Sequence, residues 1–419
     1  MNISTMAFRN LARNKRRSAL SILTIVLACI VGLFMLTLIE GVRVDMKENI
    51  ISYATGSIQI RNARFNEYEY LNPIHQFVSD EAAIRRKLST IDGVTKVVAR
   101  ITAAGKIYID TNPDDDVQGI EFQAQAMGLN LADEQEILHP SSLLLDGRLP
   151  KEGKREVVLG YSLAGKIGLK TGDSFAFMAA TADRGVNAMS FEIVGLVKFK
   201  MGVLNSSSFI VPFDTLQGLI RMEGGAQELL VMTDEPEEVA VQKTAIDALF
   251  ASDCSLSYLD SKLWKDQGEM YAMMGVASLI YNFLVIFMLA MGATVIINTT
   301  MMVIYERYRE IGILGAMGMK PNELVSLFFL EALYAGIISA VIGIILGSGL
   351  VLLLTKTGIN FGSSYDAMDL GISTILYPAL RWYHLVLMAV YTVGISALVT
   401  LIPCRKAAGI EIVEAIRAT

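Results

Sequence analysis

Two stretches carry residues whose types and spacing could do chemistry. The first, Gly160-Tyr161-Ser162-Leu163-Ala164-Gly165-Lys166, fits G-x4-G-K, the start of a loop whose amides and lysine cradle phosphates. Ile167 stands where a hydroxyl would ligate Mg²⁺, and Gly168 cuts the following helix short, so no nucleotide is expected there. The second is Glu306-Arg307-Tyr308-Arg309-Glu310-Ile311-Gly312-Ile313-Leu314-Gly315-Ala316-Met317-Gly318-Met319-Lys320-Pro321. Glu306 and Glu310 lie one helical turn apart with Arg309 between them, and Ile311, Ile313 and Leu314 add a short apolar face. Glycine and alanine there permit close approach to another surface. The chemistry is docking, not catalysis, although a solvated cap on a long helix would also explain the charges.

Other candidates carry less. Asp114, Asp115 and Asp116 could hold Ca²⁺, but a regular loop of oxygen ligands with a closing Glu is missing, and a solvated turn after Pro113 is expected. His75, His139 and His384 are too scattered for a metal site. No G-x-S-x-G nucleophile motif occurs. No catalytic residue and no metal are therefore expected.

The elements that must position these residues follow from the hydropathy. The chain has 419 residues, 53% hydrophobic and 19% charged, with a mean hydropathy of +0.46. Soluble domains carry roughly 25% charged residues, so a purely soluble enzyme is excluded. A net charge of −6 and a pI near 5.3 exclude a general nucleic-acid binder. Four stretches hold the deficit of charge: Ala19 to Ile39, Tyr271 to Tyr305, Leu324 to Thr355 (broken only by Glu331) and Leu385 to Leu401. Each is long enough, at 1.5 Å per residue, to cross all or most of a hydrocarbon core of ~30 Å. The second is longer than a bilayer needs, so its start is expected to project as a stalk.

Orientation follows the Lys/Arg bias of short flanks. Arg9, Arg13, Lys15, Arg16 and Arg17 precede the first span, and Arg405, Lys406 and Arg417 follow the fourth, which puts both termini in the cytoplasm. Gly41 to Met270 then lies outside. It holds 23 Lys/Arg and 33 Asp/Glu, or −10, and the remainder holds 13 and 9, or +4. Cys29 has ten apolar residues after it, so a span is expected there and not a lipoprotein cleavage site. Cys254 is the only cysteine outside, so no intrachain disulfide forms there.

The outer segment reads as an α+β module. Ser57–Arg61 and Lys106–Asp110 alternate as half-buried strands, and Glu156–Leu159, Phe191–Val197 and Ser208–Val211 are further strands. Glu81–Leu88 and Pro236–Leu249 are helices. The fold class expected is a membrane protein of four transmembrane helices with a large α+β extracytoplasmic domain inserted between helices 1 and 2. Its divisions are an amphipathic lead-in helix (1–18), spans at 19–40, 271–305, 324–355 and 384–403, the outer domain (41–270), a coupling helix (306–323), a short outer loop (356–383) and a cytoplasmic tail (404–419).

In the third span Ser339, Gly343 and Gly347 recur every four residues, a face for tight contact expected to meet the fourth span. Glu331, near the cytoplasmic end, is expected to have an interfacial or paired structural role; one shallow carboxylate makes no proton relay.

The stretch from Glu306 to Pro321 resembles the coupling-helix region of ABC transporter permeases of the MacB/LolC/LolE/FtsX class. Ala7-Phe8-Arg9-Asn10-Leu11 with Arg16-Arg17 resembles that family's amphipathic amino-terminal segment. Asp146 to Pro150, Glu156 to Gly160 and Gly168 to Asp173 resemble its extracytoplasmic core, and Pro403 to Ala408 with Glu414 to Arg417 its tail. The resemblance implies two separate ABC ATPase subunits, which bind the ATP and Mg that this chain does not, and a second permease copy or a sister permease. It implies mechanotransmission from the ATPases to the outer domains, in a bacterial inner membrane. Glu306, Arg307, Arg309, Glu310, Gly312, Ala316 and Gly318 would form the ATPase-coupling surface.

Within the class, four spans, the absence of a fused ATPase and the phrase Phe191 to Pro212 resemble the lipoprotein-releasing permeases most. That resemblance implies a lipoprotein substrate, a periplasmic carrier and an apolar cleft between the outer halves of the first two spans. Leu33, Leu36, Leu38, Ile39, Met273, Leu279, Ile280 and Phe283 would line it. A MacB-like exporter of peptides or drugs and a non-transport regulator of an envelope hydrolase are the alternatives.

Overall fold

The computed structural model describes residues 3–13, 15–68, 72–109, 120–235, 239–361, 373 and 375–408. Two compact units result: Met1–Val44, Val276–Asn360 and Ile375–Thr419 form one, and Asp45–Gly275 with Phe361–Thr374 the other. The first is the membrane unit. An amphipathic helix Ile3–Arg13 precedes the first-span helix Lys15–Ile50; the second-span helix is Gly268–Glu306, the third Pro321–Thr357 and the fourth Trp382–Ala408. All four contain stretches long and apolar enough to cross a membrane, as the hydropathy requires.

Small residues set how these helices meet. A Cβ on Gly343 would lie 2.7 Å from Cys29 Cβ, and one on Gly347 would lie 3.1 Å from Leu33 Cδ2. Ser339 donates to the Ile22 carbonyl at 3.3 Å. The stripe Ser339–Gly343–Gly347 thus packs on the first span, a correction to the fourth span expected for it. The fourth span is met by Gly336, three residues earlier and on another face, whose Cβ would come within 2.1 Å of Ser396 Oγ. Without a hydrophobic force between helices in lipid, such close backbone approach is what holds them.

The outer unit is a ten-stranded mixed sheet with helices, the α+β inserted domain expected. Its strands are β1 (Ile58–Asn62), β2 (Val94–Ile109), β3 (Ile120–Leu129), β4 (Leu144–Gly147), β5 (Glu156–Gly160), β6 (Ser174–Ala180), β7 (Val186–Val197), β8 (Ser208–Pro212), β9 (Glu228–Thr233) and β10 (Leu259–Leu263). The order is β10-β1-β9-β2-β3-β8-β5-β7-β4, with β6 pairing β2 and β7; among the described residues β3–β8 and β5–β7 pair in parallel and the other pairs are antiparallel. β5 and β8 are buried at every position, as a central strand covered on both faces requires. Phe175, Phe177, Phe191 and Phe209 meet in the main core, with Phe177 and Phe209 edge to face at 5.0 Å.

Two polar devices brace this unit. A five-residue π-turn, Ile51–Thr55, is held by Arg100, which donates to the Ser52 carbonyl at 2.7 Å and to both Glu134 carboxylate oxygens at 2.6 and 2.8 Å. Within this unit Ser373 donates through its amide and hydroxyl to Asp45 at 2.8 and 2.6 Å.

Candidate coupling site and apolar groove

The break between the second span and the next helix is made by Arg307, whose backbone (φ −99°, ψ 10°) leaves the helical region before Tyr308–Ala316 begins. That helix ends at Gly318, whose φ of +93° only glycine adopts without strain, and Met319 N–H reaches back to the Leu314 carbonyl at 3.2 Å. Pro321 then opens the third span at its first turn, and Glu323 accepts from Lys320 N–H at 2.9 Å. The sequence Gly-Met-Lys-Pro is therefore a designed corner: glycine for the reversed turn, proline for the restart.

Arg307 is only 6% exposed. Its Nη1 donates to both Glu331 oxygens at 2.6 Å, its Nε donates to Glu310 at 2.8 Å, and its guanidinium lies 4.9 Å over the Phe328 ring. A planar guanidinium suits this arrangement because it forks hydrogen bonds to carboxylates and stacks on an aromatic face at once. Beneath it Leu314 and Met319 pack with Leu324, Phe328 and Cys404. Glu331, the acid inside the third span's apolar run, is thus paired. Cys404, only 2% exposed, sits here as a small apolar group.

The other residues of the expected coupling surface divide. Gly312 is buried, Glu310 half-buried, and Ala316 and Gly318 are exposed. The side chains of Glu306 and Arg309 lie outside the described residues. Two exposed apolar side chains, Ile313 and Met317, stand one turn apart beside Ala316 and extend the outward face. Their i,i+4 spacing was legible in the sequence; what was not legible is that Arg307 turns inward while they turn out.

The apolar groove lies between the first and second spans with a cavity of about 380 Å³. Leu27, Val31 and Met35 line one wall, Met288, Met291 and Val295 the other, with Tyr391 of the fourth span at its back. Space comes from Ala28, Gly32 and Gly292. Of the residues named from the resemblance, Leu33 and Leu36 point into the helix packing with Cys29 and Met388, and Leu38 and Ile39 are half-buried. Leu279, Ile280 and Phe283 are exposed on the second span, and the side chain of Met273 lies outside the described residues. None of the other seven lines this groove.

The outer unit has open cavities of about 580 and 420 Å³, but the motifs weighed in its sequence do not converge on them among the described residues. Gly160 closes β5, and its missing side chain makes room for the Asn205 carbonyl, 2.6 Å from where a Cβ would stand. The following helix, Tyr161–Ile167, is only about two turns long. His384 packs at the start of the fourth span, accepting from Arg381 N–H at 3.3 Å. Asp114–Asp116 lie outside the described residues. Among the described residues no group of three metal-ligating side chains converges.

The sequence matches the family described as MacB-like periplasmic core domain over residues 18–249, more than half of the chain, and the family described as FtsX-like permease C-terminal over residues 282–412. The lipoprotein-releasing system transmembrane protein LolC of Xylella fastidiosa is 24% identical over 64% of this chain and 66% of its own. The macrolide export ATP-binding/permease protein MacB of Chlorobaculum tepidum is 24% identical over 98% of this chain and 60% of its own. An uncharacterized ABC transporter permease of Methanocaldococcus jannaschii is 23% identical over 90% of this chain and 92% of its own. The chain therefore spans just under two thirds of the LolC relative and less of the MacB relative.

Proposed function

The chain belongs to the ABC-transporter permeases built from a MacB-like periplasmic core domain and an FtsX-like membrane half, and on that premise we propose that it extracts lipoproteins from a bacterial inner membrane. Two separate ATPase subunits, holding the ATP and Mg, would dock on the helix Tyr308–Ala316 from the cytoplasm. A second copy or a sister permease completes the membrane part, both termini face the cytoplasm, and a periplasmic carrier receives the product. The observation that carries the reading is the apolar groove between the first two spans, a site for acyl chains that is lined by flexible methionines and opened by glycines. A bilayer-facing groove of this kind admits a lipid anchor without a polar route across the membrane.

Filling the groove with Val31→Phe should lower lipoprotein release about tenfold while basal ATP hydrolysis holds. Equal loss of both would mark misfolding, and unchanged release would remove the groove from the mechanism. Reversing Glu306 and Glu310 together should reduce permease-stimulated ATP hydrolysis; normal turnover would overturn the docking assignment. A MacB-like exporter is the second reading, favoured by an alignment across 98% of this chain. A periplasmic adaptor and an outer-membrane channel, in place of bound acylated protein, would decide for it.

A further inference from the structure

The coupling helix is joined covalently to the second span, yet its side chains are fastened to the third. Arg307, at the break, spends its guanidinium on Glu331 of the third span through two 2.6 Å hydrogen bonds, on Glu310 of the coupling helix, and on the Phe328 ring. Leu314 and Met319 sit in the same cluster with Leu324, Phe328 and Cys404, the last from the fourth span. The third span is in turn fitted to the first through Ser339, Gly343 and Gly347, and to the fourth through Gly336. The second span is held far less: 6% of its most apolar window is buried, against 28% for the third.

We propose that the Arg307–Glu331 pair is a positioning clasp that makes the coupling helix one body with the third span, so that movement of a docked ATPase enters the first and fourth spans through the third, leaving the second span free to move against them. The inference rests on the reading of Tyr308–Ala316 as the docking helix. Arg307 touches no ATPase in this account; it acts through the helix it anchors. A hinge at residue 307 with the clasp intact transmits force to Glu331, and a hinge without it transmits none. A buried guanidinium with two carboxylates suits the task, because the pair is fixed in angle as well as distance.

The test uses the purified permease in nanodiscs, with and without its co-expressed ATPase. In the permease alone, Glu331→Gln keeps shape but removes the charge that binds Arg307. Amide exchange over residues 308–316 should then rise about tenfold, with the third span from residue 335 onward unchanged. Glu310→Gln, at the exposed edge of the cluster, should change exchange less than threefold. In the complex, Glu331→Gln should leave the amount of bound ATPase unchanged and reduce permease-stimulated hydrolysis about tenfold. Unaltered exchange over 308–316 overturns the clasp, and so does loosening spread evenly over all four spans, which would make the pair a general fold element. Loss of ATPase binding also overturns it, since Arg307 would then be a docking contact. If the clasp loosens as expected but no ATPase ever binds the unaltered protein, the docking reading fails and the clasp stands.

Discussion

The second and third spans are alike in length and apolarity, yet the protein uses them oppositely. The third carries Gly336, Ser339, Gly343 and Gly347 on two faces and is fitted on both sides. The second exposes Leu279, Ile280, Phe283, Ile286 and Phe287, and a Cβ on its Gly275 would meet nothing within 4 Å. Apolarity alone says only that a helix lies in the membrane; the spacing of small residues says which helix is the frame. One span is the frame, and the other borders the groove.

That contrast breaks most sharply at glycine. Gly343→Leu drives a side chain against Cys29 Cβ and the Val26 carbonyl, 2.7 and 3.3 Å from the new Cβ. It is expected to abolish accumulation of monodisperse protein, whereas Gly275→Leu should leave the size-exclusion profile unchanged. Next in size is Arg307→Met. Removing one partner of a buried ion pair leaves the other charge uncompensated, a cost of about 3–5 kcal/mol. Thermal unfolding in detergent should show a matching fall in Tm. Phe283→Ser, on the open face of the second span, is expected to stay within about 0.5 kcal/mol of the parent. If it destabilises as much as Arg307→Met, the second span is part of the frame and the contrast fails.

The smallest effect belongs to the outer unit, where pH separates the two units. Arg148 beside Glu156, with the Lys151 amide, holds that carboxyl at about 2, below its usual 4.5. A depressed folded value adds stability above about pH 4.5, and this is lost as pH falls toward 2. Fluorescence of the buried Trp264 should report a modest acid-side loss of stability, flattened by Arg148→Gln.

Much of this was legible along the chain. Runs of uncharged residues gave the four spans, and Glu81–Leu88 is a helix at those very residues because Ile84 and Leu88 sit one turn apart over the core. β2 was read only from Lys106 although it begins at Val94; Thr102-Ala103-Ala104-Gly105 breaks the alternation. Gly105 is small because the Met178 carbonyl would lie 2.2 Å from its Cβ. Contacts between distant residues stayed hidden. Glu331 stood out as an acid in an apolar run, but its partner lies 24 residues away and only the turn at Gly318 brings them together. The face that lines the groove stayed hidden for a related reason: on helices apolar all round, no periodicity tells a lining face from a lipid face.

The most direct test of the account is mass spectrometry of the intact complex purified from native membranes through this chain. The account expects ATPase subunits together with a second permease and a triacylated protein that Val31→Phe displaces. A chain that purifies as a single polypeptide, with no ATPase and no acylated protein, would contradict it.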